Sequence, residues 1–217
     1  MVAGRIHWHD EVVSIRGKHQ LAAFDFSTGT LLLTEAGSRK RASLFLVRGE
    51  NSLTEHDPGG IEPLECRSDE FASRLIAENR TIRRALTNPK SFSGIGNAYS
   101  DEILHAARLS PIKLTGKLTR EEIEALFTAT RRVLSTARER LRQQTGKAFP
   151  RKVTAFRKEM AVHGKYGLPC PDCGAPVARI RYKNNETNYC PGCQTGGRIF
   201  ADRSLSRLLK DDWPDTL

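Results

Sequence analysis

The sequence predicts an α+β protein with a cysteine-containing hairpin in its C-terminal part. Two apolar runs near the N-terminus, LAAFDF and TLLLTEA, are joined by the turn STG and are typical of a β-hairpin, with RASLFLV as a third strand. Apolar residues at helical spacing follow through the middle of the chain. Towards the C-terminus, two Cys-x-x-Cys motifs are separated by 16 residues whose pattern predicts two short strands.

The middle of the chain is predicted to be helical. The segments SDEFASRLIAEN and TIRRALTN have apolar positions at helical spacing, and Pro89 ends the second. The longest predicted helix begins at Thr119, which forms a capping box with Glu122, and it ends at Gly146. Its apolar stripe is predicted to face the core and consists of Ile123, Leu126, Phe127, Thr130, Leu134, Ala137 and Leu141.

The charge of the chain favours a polyanionic partner. The 217 residues include 35 Lys and Arg against 25 Asp and Glu, a formal net charge of +10. Between Arg151 and Lys210 there are 12 basic and 4 acidic residues, so most of this charge lies around and after the cysteine motifs. Because each Lys or Arg placed against a phosphate releases a condensed counterion, this distribution favours binding to a nucleic acid.

The sequence predicts an intracellular, cytoplasmic protein with no membrane partner. No apolar run approaches the roughly 20 residues of a membrane span, and the N-terminus lacks the apolar stretch of a signal peptide. In a reducing compartment, four cysteines in two pairs are better explained as metal ligands than as disulfides. Cys66 stands apart from them and is predicted to be a free thiol.

The cysteine motifs predict one structural zinc ion. Cys170, Cys173, Cys190 and Cys193 have the ligand type and spacing of a tetrahedral site, because each Cys-x-x-Cys places two sulfurs on one tight turn. With four protein ligands, no coordination position remains for a substrate or a water molecule. The metal is therefore expected to stabilise a hairpin and not to take part in catalysis.

The segment NPKSFSGIGNAYSDEILHAARLSP carries a second binding signal. Gly94 and Gly96 precede Asn97, and a helix is predicted from about Ser100 or Asp101 to Arg108. Residues without a Cβ let backbone N–H groups approach a phosphate, and Asn97 can donate its side-chain amide to the same oxygen. For a bare Gly-x-Gly-Asn, the ordinary alternative is a glycine turn with an asparagine near the helix cap.

The string GIGNAYSDEILHAARLSP, followed by CPDCG and YCPGCQ, resembles the formamidopyrimidine-DNA glycosylase and endonuclease VIII family of base excision repair enzymes. The first string resembles the helix-two-turn-helix of that family, and the cysteine motifs resemble its zinc finger. MVAGRIHW looks like one of its strands. The resemblance implies a monomeric DNA glycosylase with associated AP lyase activity. Its partner would be damaged duplex DNA, from which an oxidised base is flipped out before it is excised.

The resemblance also implies three domains. Residues 1–60 would form a partial β-sandwich remnant. Residues 67–150 would form the helical domain with the helix-two-turn-helix. Residues 151–217 would hold a basic linker, a zinc-ribbon-like β-hairpin finger and a C-terminal extension. The sequence of this extension itself predicts a short helix from about Asp202 to Lys210.

Several DNA-contacting residues are implied by the resemblance. Asn97, with Gly94 and Gly96, matches the phosphate-binding asparagine of the family. At Asn185 the family has an arginine that contacts DNA, and the stretch GSRKRAS stands where the family has an intercalating loop with a phenylalanine. The other predicted contacts to DNA are His19, Arg39, Arg83, Arg181 and Lys183.

The catalytic residues of the family have no clear counterpart here. Its nucleophile is an N-terminal proline followed by glutamate, whereas this sequence begins Met1, Val2, Ala3, so we expect the N-terminal part of a typical member to be absent. An alternative alignment of IRGKHQLAAF makes Lys18 the lysine that assists catalysis. Two functions stay open: a glycosylase in its full-length form, or a catalytically inactive, zinc-dependent DNA-binding remnant.

Overall fold

A computed structural model describes residues 4–38, 40–150, 157–182 and 185–200, with the backbone alone given for Tyr182. The strands are β1 (Gly4–His9), β2 (Gln20–Phe26), β3 (Gly29–Glu35), β4 (Ala178–Tyr182) and β5 (Asn185–Tyr189). The α-helices are α1 (Ser68–Ile76), α2 (Ile82–Leu86), α3 (Asn97–Ala106), α4 (Arg120–Thr145) and α5 (Pro191–Gln194). This mixture of helix and antiparallel sheet confirms the predicted α+β class. The helix predicted from Asp202 to Lys210 lies outside the described residues.

The chain divides into two compact units. The first comprises Met1–Thr54 and Leu141–Thr154, and the second comprises Glu55–Arg140 and Ala155–Leu217. The domain boundaries predicted from the sequence stay predictions. None of the helices in the described ranges is long and apolar enough to cross a membrane.

The first unit is built on a three-stranded antiparallel sheet with the order β1-β3-β2. Its central strand, β3, buries Thr30 and Leu32. The predicted hairpin of β2 and β3 is confirmed, and it closes at Gly29, which has a φ of 149°. A Cβ on Gly29 would lie 2.2 Å from the carbonyl oxygen of His9, so this turn accepts only glycine.

The prediction of a third strand at RASLFLV is wrong, since the described residues 40–47 form no strand. The buried carboxylate of Glu35 accepts hydrogen bonds from the N–H groups of Arg41 at 2.9 Å and Ala42 at 3.1 Å. These two N–H groups therefore cannot join a strand ladder, and Leu46 is 100% exposed. The bond from Ala42, followed by that from Arg41, holds the pKa of Glu35 below its usual value.

The main apolar core lies in the second unit, where three of the predicted helices are confirmed as α1, α2 and α4. The ring of Phe71 packs against Phe92 and Phe127, with centroids 4.7 and 5.3 Å apart. The predicted free thiol of Cys66 is confirmed in this core, and burial raises its pKa. The other buried residues of the core include Leu75, Ile82, Leu86, Ile103, Leu104 and Leu126.

Both predicted ends of helix α4 are confirmed. The hydroxyl of Thr119 accepts the N–H of Glu122 at 3.3 Å, and the carboxylate of Glu122 accepts the N–H of Thr119 at 2.9 Å. These reciprocal bonds form the expected capping box. At the other end, Gly146 has a φ of 60° and donates its N–H to the carbonyl of Arg142 at 2.8 Å.

Helix α3 begins at Asn97 and not at Ser100 or Asp101 as predicted. Gly96 precedes it with an extended backbone, φ −99° and ψ −177°, so Asn97 lies in the first helical turn. The helix ends where Arg108 adopts a left-handed φ of 55°. This conformation crowds the Cβ of an L-residue and is adopted most readily by glycine.

Changing Arg108 to Gly is expected to raise the free energy of unfolding by about 1 kcal/mol, because the left-handed backbone then carries no Cβ. Urea denaturation of the wild type and the variant measures the change. The neighbouring Ala107 has a right-handed φ of −85°, so Ala107→Gly is a matched control that should lose stability. A lower urea midpoint for Arg108→Gly would contradict this assignment of strain.

The C-terminal strands confirm the predicted hairpin. β4 and β5 pair antiparallel, from Ala178 opposite Tyr189 to Tyr182 opposite Asn185. The short helix α5 follows directly and was missed by the sequence analysis. It begins at Pro191, whose fixed φ suits the first helical position. We call residues 157–182 and 185–200, the described part of this region, the finger.

Candidate metal centre and nucleic-acid interface

The four predicted cysteines converge at one end of the finger. Their sulfur atoms all lie within 4.8 Å of one another. The Sγ atoms of Cys170 and Cys193 are 3.9 Å apart, and those of Cys173 and Cys190 are 3.3 Å apart. Four sulfurs arranged tetrahedrally around a metal at about 2.3 Å would be about 3.8 Å apart. The donor set and its spacing therefore fit one tetrahedral metal ion.

Each Cys-x-x-Cys motif is held by the backbone of its own turn. In the first motif, Gly174 has a φ of 77° and donates its N–H to the carbonyl of Cys170 at 2.9 Å. In the second motif, the N–H of Cys193 points at the sulfur of Cys190, 3.4 Å away. A Cβ on Gly192 would lie 3.1 Å from the sulfur of Cys173. Glycine at this position therefore lets the two turns approach each other.

The thiols differ in their proton affinity. Burial raises the pKa of Cys190 to about 11 and also raises that of Cys193. The backbone N–H of Ala175 lowers the pKa of Cys173, which is exposed. A metal ion binds thiolates, so loading this site releases protons.

Helix α3 contributes a histidine to the surroundings of the cysteines. The Nε2 atom of His105 lies 3.3 Å from the Sγ atom of Cys170 and 3.9 Å from the carboxylate of Asp172. A ring nitrogen of His105 is also within 4.8 Å of Cys193. The histidine is buried, with 4% of its surface exposed. The sequence analysis did not identify His105.

The other end of helix α3 carries the predicted phosphate-binding loop. Gly94 and Gly96 are exposed, whereas Ile95 between them is buried and anchors the loop to the core. Gly94 has a φ of 73°, which favours glycine. Among the described residues no side chain caps the start of α3, so its first N–H groups keep the partial positive charge of the helix end.

Asn97, at the start of α3, contacts the tip of the finger, which is the end of the β4–β5 hairpin at Asn185. Its amide nitrogen donates to the side-chain oxygen of Asn185 at 3.3 Å, and Asn97 is exposed. The sequence analysis noted Asn185 only as a departure from a family arginine. The structure brings these two carboxamides together, although they are far apart in the chain. An anion at this point would meet amide groups from both elements.

Below this surface, a buried ion-pair network joins α3 to the finger. The carboxylate of Asp101 accepts from Nε of Arg83 at 3.1 Å, Nδ1 of His163 at 2.9 Å and the N–H of Asn188 at 3.1 Å. Asp101 is fully buried. The adjacent Glu102 accepts the N–H groups of residues 161, 162 and 163 at 2.8 to 2.9 Å. The two carboxylates therefore attach residues 161–163 and strand β5 of the finger to helix α3.

The Arg83 side chain is only 13% exposed. Besides Asp101, its guanidinium donates to the carbonyl of Glu186 at 2.9 Å. Through these bonds Arg83 links Asp101 of helix α3 to strand β5 of the finger. The predicted contact of Arg83 with a DNA phosphate stays a prediction.

The other residues predicted to contact DNA or to assist catalysis do not form one cluster among the described residues. Lys18 and His19 lie exposed in the turn that precedes β2, in the first unit. Arg181 lies exposed on β4 opposite Glu186. Arg39 and Lys183 lie outside the described residues, and the roles of all five stay predictions.

Two residues that sequence reasoning missed, Asp101 and His105, share a spacing signal with Asn97, which it predicted. Asn97, Asp101 and His105 are four residues apart, so they lie on one side of α3, and each contacts the finger. Polar residues at this spacing on a helix among apolar neighbours indicate a face that meets a polar partner. Gln194 belongs to the same contact, since it donates to the carbonyl of Leu109 at 2.9 Å.

Together, the fold and the site define a helix-two-turn-helix protein with a four-cysteine finger. The family model for the formamidopyrimidine-DNA glycosylase H2TH domain matches residues 60–148. A formamidopyrimidine-DNA glycosylase-like protein of Mycobacterium tuberculosis is 40% identical over 70% of this chain and 94% of its own length. The formamidopyrimidine-DNA glycosylase of Desulfitobacterium hafniense is 34% identical over 89% of this chain and 72% of its own length. The chain belongs to the formamidopyrimidine-DNA glycosylase family.

Solved structures of this family agree with the fold. A MutM in complex with DNA containing carbocyclic 8-oxo-G has a TM-score of 0.73 and 26% identity, over 89% of this chain and 72% of that chain. A variant of the Lactococcus lactis enzyme in complex with DNA containing Fapy-dG has the same TM-score, identity and coverage. The similarity therefore extends over most of the chain, including both the sheet and the finger.

Proposed function

We propose that this protein binds damaged duplex DNA in base excision repair, and that one structural zinc ion in the four-cysteine site holds its finger. Binding to DNA also implies the intracellular location. The net charge of +10 favours such binding, because basic residues neutralise DNA phosphates. We propose that the protein acts as a monomer.

A single observation carries the DNA-binding proposal. The amide of Asn97 stands exposed at the uncapped start of α3, and the finger tip meets it through Asn185 at 3.3 Å. Helix starts of this kind bind phosphate through backbone N–H groups and the helix dipole. The contacts expected here are to the DNA backbone, so they position the protein without reading the base sequence. Gly94 and Gly96 let the phosphate approach. We also propose that the positive charges of Arg181 and Lys183 contribute to DNA binding.

Zinc is the metal that suits this donor set. Four thiolates in a tetrahedral arrangement are typical of structural zinc sites, and they leave no open position for a catalytic water. The finger carries charged and amide side chains and a small apolar cluster around Val162 and Val177. Metal binding contributes on the order of 10 kcal/mol to folding in such hairpins, which is enough to fix a loop with little core.

The chemistry that we propose for the protein is that of a DNA glycosylase with associated AP lyase activity on oxidised bases. The family name of its relatives supports this reaction class. Incubation with duplexes that contain 8-oxoguanine or formamidopyrimidine separates the two functions left open by the sequence. Release of the base with strand cleavage supports the glycosylase. Binding without release supports the DNA-binding remnant. If the base is released, Lys18→Ala tests whether the activity depends on that lysine.

Changing Asn97 to Ala is expected to weaken binding to an abasic-site duplex by about 1 to 2 kcal/mol, since a hydrogen bond to a charged phosphate is lost. This loss corresponds to a roughly 5- to 30-fold higher Kd, measured by fluorescence anisotropy at constant salt. Asn51→Ala removes an exposed amide on the 3-10 helix Glu50–His56 and is the matched control. Equal Kd values for Asn97→Ala and the wild type, at equal metal content, would overturn the proposed phosphate contact.

A further inference from the structure

One side of helix α3 contacts the finger at three positions along its length. At the first turn Asn97 meets Asn185, in the middle Asp101 accepts the N–H of Asn188, and at the last turn His105 faces Cys170. The first two contacts involve the hairpin strand β5. The third reaches a predicted metal ligand directly. Helix α3 is therefore linked both to the DNA-facing tip and to the metal centre.

The proton of His105 can be assigned from its neighbours. Among the described residues, the sulfur of Cys170 lies 3.3 Å from Nε2 and the carboxylate of Asp172 lies 3.9 Å from it. A metal-bound cysteine is a thiolate, so both neighbours are acceptors of hydrogen bonds. The Nε2 atom is therefore assigned as an N–H donor to the nearer acceptor, Cys170.

The environment makes this hydrogen bond strong. Cys170 is 3% exposed and His105 is 4% exposed, so little water reaches the pair. A bond from an N–H group to an anionic acceptor is stronger than one between neutral groups, and low local dielectric strengthens it further. Without a donor, the buried thiolate charge would be left with fewer compensating partners.

We propose that His105 is a positioning residue for the metal centre: it donates Nε2–H to the metal-bound thiolate of Cys170 and holds that ligand against helix α3. This inference rests on the proposed zinc loading. It gives the metal centre a partner outside the finger, on the same helix that carries Asn97. Loss of the donor should weaken metal retention and leave the four ligands themselves intact.

The test compares three variants at position 105. His105→Phe keeps a planar ring but removes the donor, His105→Gln restores an N–H at a similar distance from the backbone, and His105→Asn carries an amide that is too short. Competition with a zinc chelator should show roughly 10-fold weaker zinc binding for the Phe and Asn variants. His105→Gln should recover most of the loss. His56→Phe, which removes an imidazole outside the finger, should match the wild type.

Cobalt substitution supplies a readout that general loosening of the fold would not produce. A hydrogen bond to sulfur lowers the energy of its donor electrons, so the sulfur-to-cobalt charge-transfer absorption should shift to longer wavelength in His105→Phe and His105→Asn. The wild type and His105→Gln should share one band position. Identical band positions and identical zinc affinities in all variants would overturn the proposal. A wild-type chain that takes up no metal would instead overturn the proposed zinc site.

Discussion

Changing Asp101 to Asn is expected to lower the free energy of unfolding by about 3 to 5 kcal/mol, the usual loss when one partner of a buried ion pair is removed. One carboxylate oxygen of Asp101 accepts from Arg83, and the other accepts from His163 and from the N–H of Asn188. An asparagine offers only one acceptor oxygen, so its NH₂ group must face a donor. The Arg83 charge, 13% exposed, would lose its carboxylate partner.

A matched control separates this effect from the general loss of an acidic residue. Asp69 also pairs with an arginine, Arg67 at 2.9 Å, but their side chains are 68% and 82% exposed. Exposed pairs contribute roughly 0 to 1 kcal/mol, so Asp69→Asn should change stability little. Urea unfolding followed by circular dichroism measures both variants. Similar small losses in the two variants would show that the buried network does not stabilise the second unit.

Changing Cys190 to Ser is expected to remove the metal and to unfold the finger, while the helical core stays folded. The thiolates contribute on the order of 10 kcal/mol through the metal, and a serine hydroxyl is a poor zinc ligand. The core around Phe71, Phe92 and Phe127 contains no cysteine ligand, so it should survive. Elemental analysis gives the zinc content, and amide hydrogen exchange distinguishes the finger from α4.

The chain offers a matched control for this substitution as well. Cys66 is buried in the helical core, outside the four-cysteine cluster. Cys66→Ser should retain one zinc per chain and lose some stability, because it buries a hydroxyl in an apolar site. A full complement of zinc in Cys190→Ser, or loss of zinc in Cys66→Ser, would contradict the assignment of the ligands.

Local signals explain what could be predicted from the sequence. The spacing of the four cysteines and the capping box of Thr119 and Glu122 each depend on a few neighbouring residues, and both are found where they were predicted. The hairpin at Gly29 could also be predicted from a few neighbouring residues, because its turn requires a backbone conformation that only glycine adopts readily.

The parts that could not be predicted depend on long-range packing. RASLFLV has the composition of a strand, but the carboxylate of Glu35 takes the N–H groups of Arg41 and Ala42. From the sequence, Arg83 is expected to be an exposed basic residue. Only the fold places the buried carboxylate of Asp101 beside it. The contact between Asn97 and Asn185 likewise joins two elements whose meeting no local pattern specifies.

The central claim is that a metal-held finger and helix α3 together bind DNA phosphates. Its most direct test is a titration of an abasic-site duplex with three forms of the protein: the zinc-loaded chain, the chelator-stripped chain and the reloaded chain. Stripping should release the finger from its contact with Asn97 and raise Kd by about 10-fold or more, with recovery on reloading. Binding by the loaded chain should weaken steeply as salt rises, as expected of phosphate contacts. Equal Kd values for the loaded and stripped chains, with the loss of zinc verified, would contradict the account.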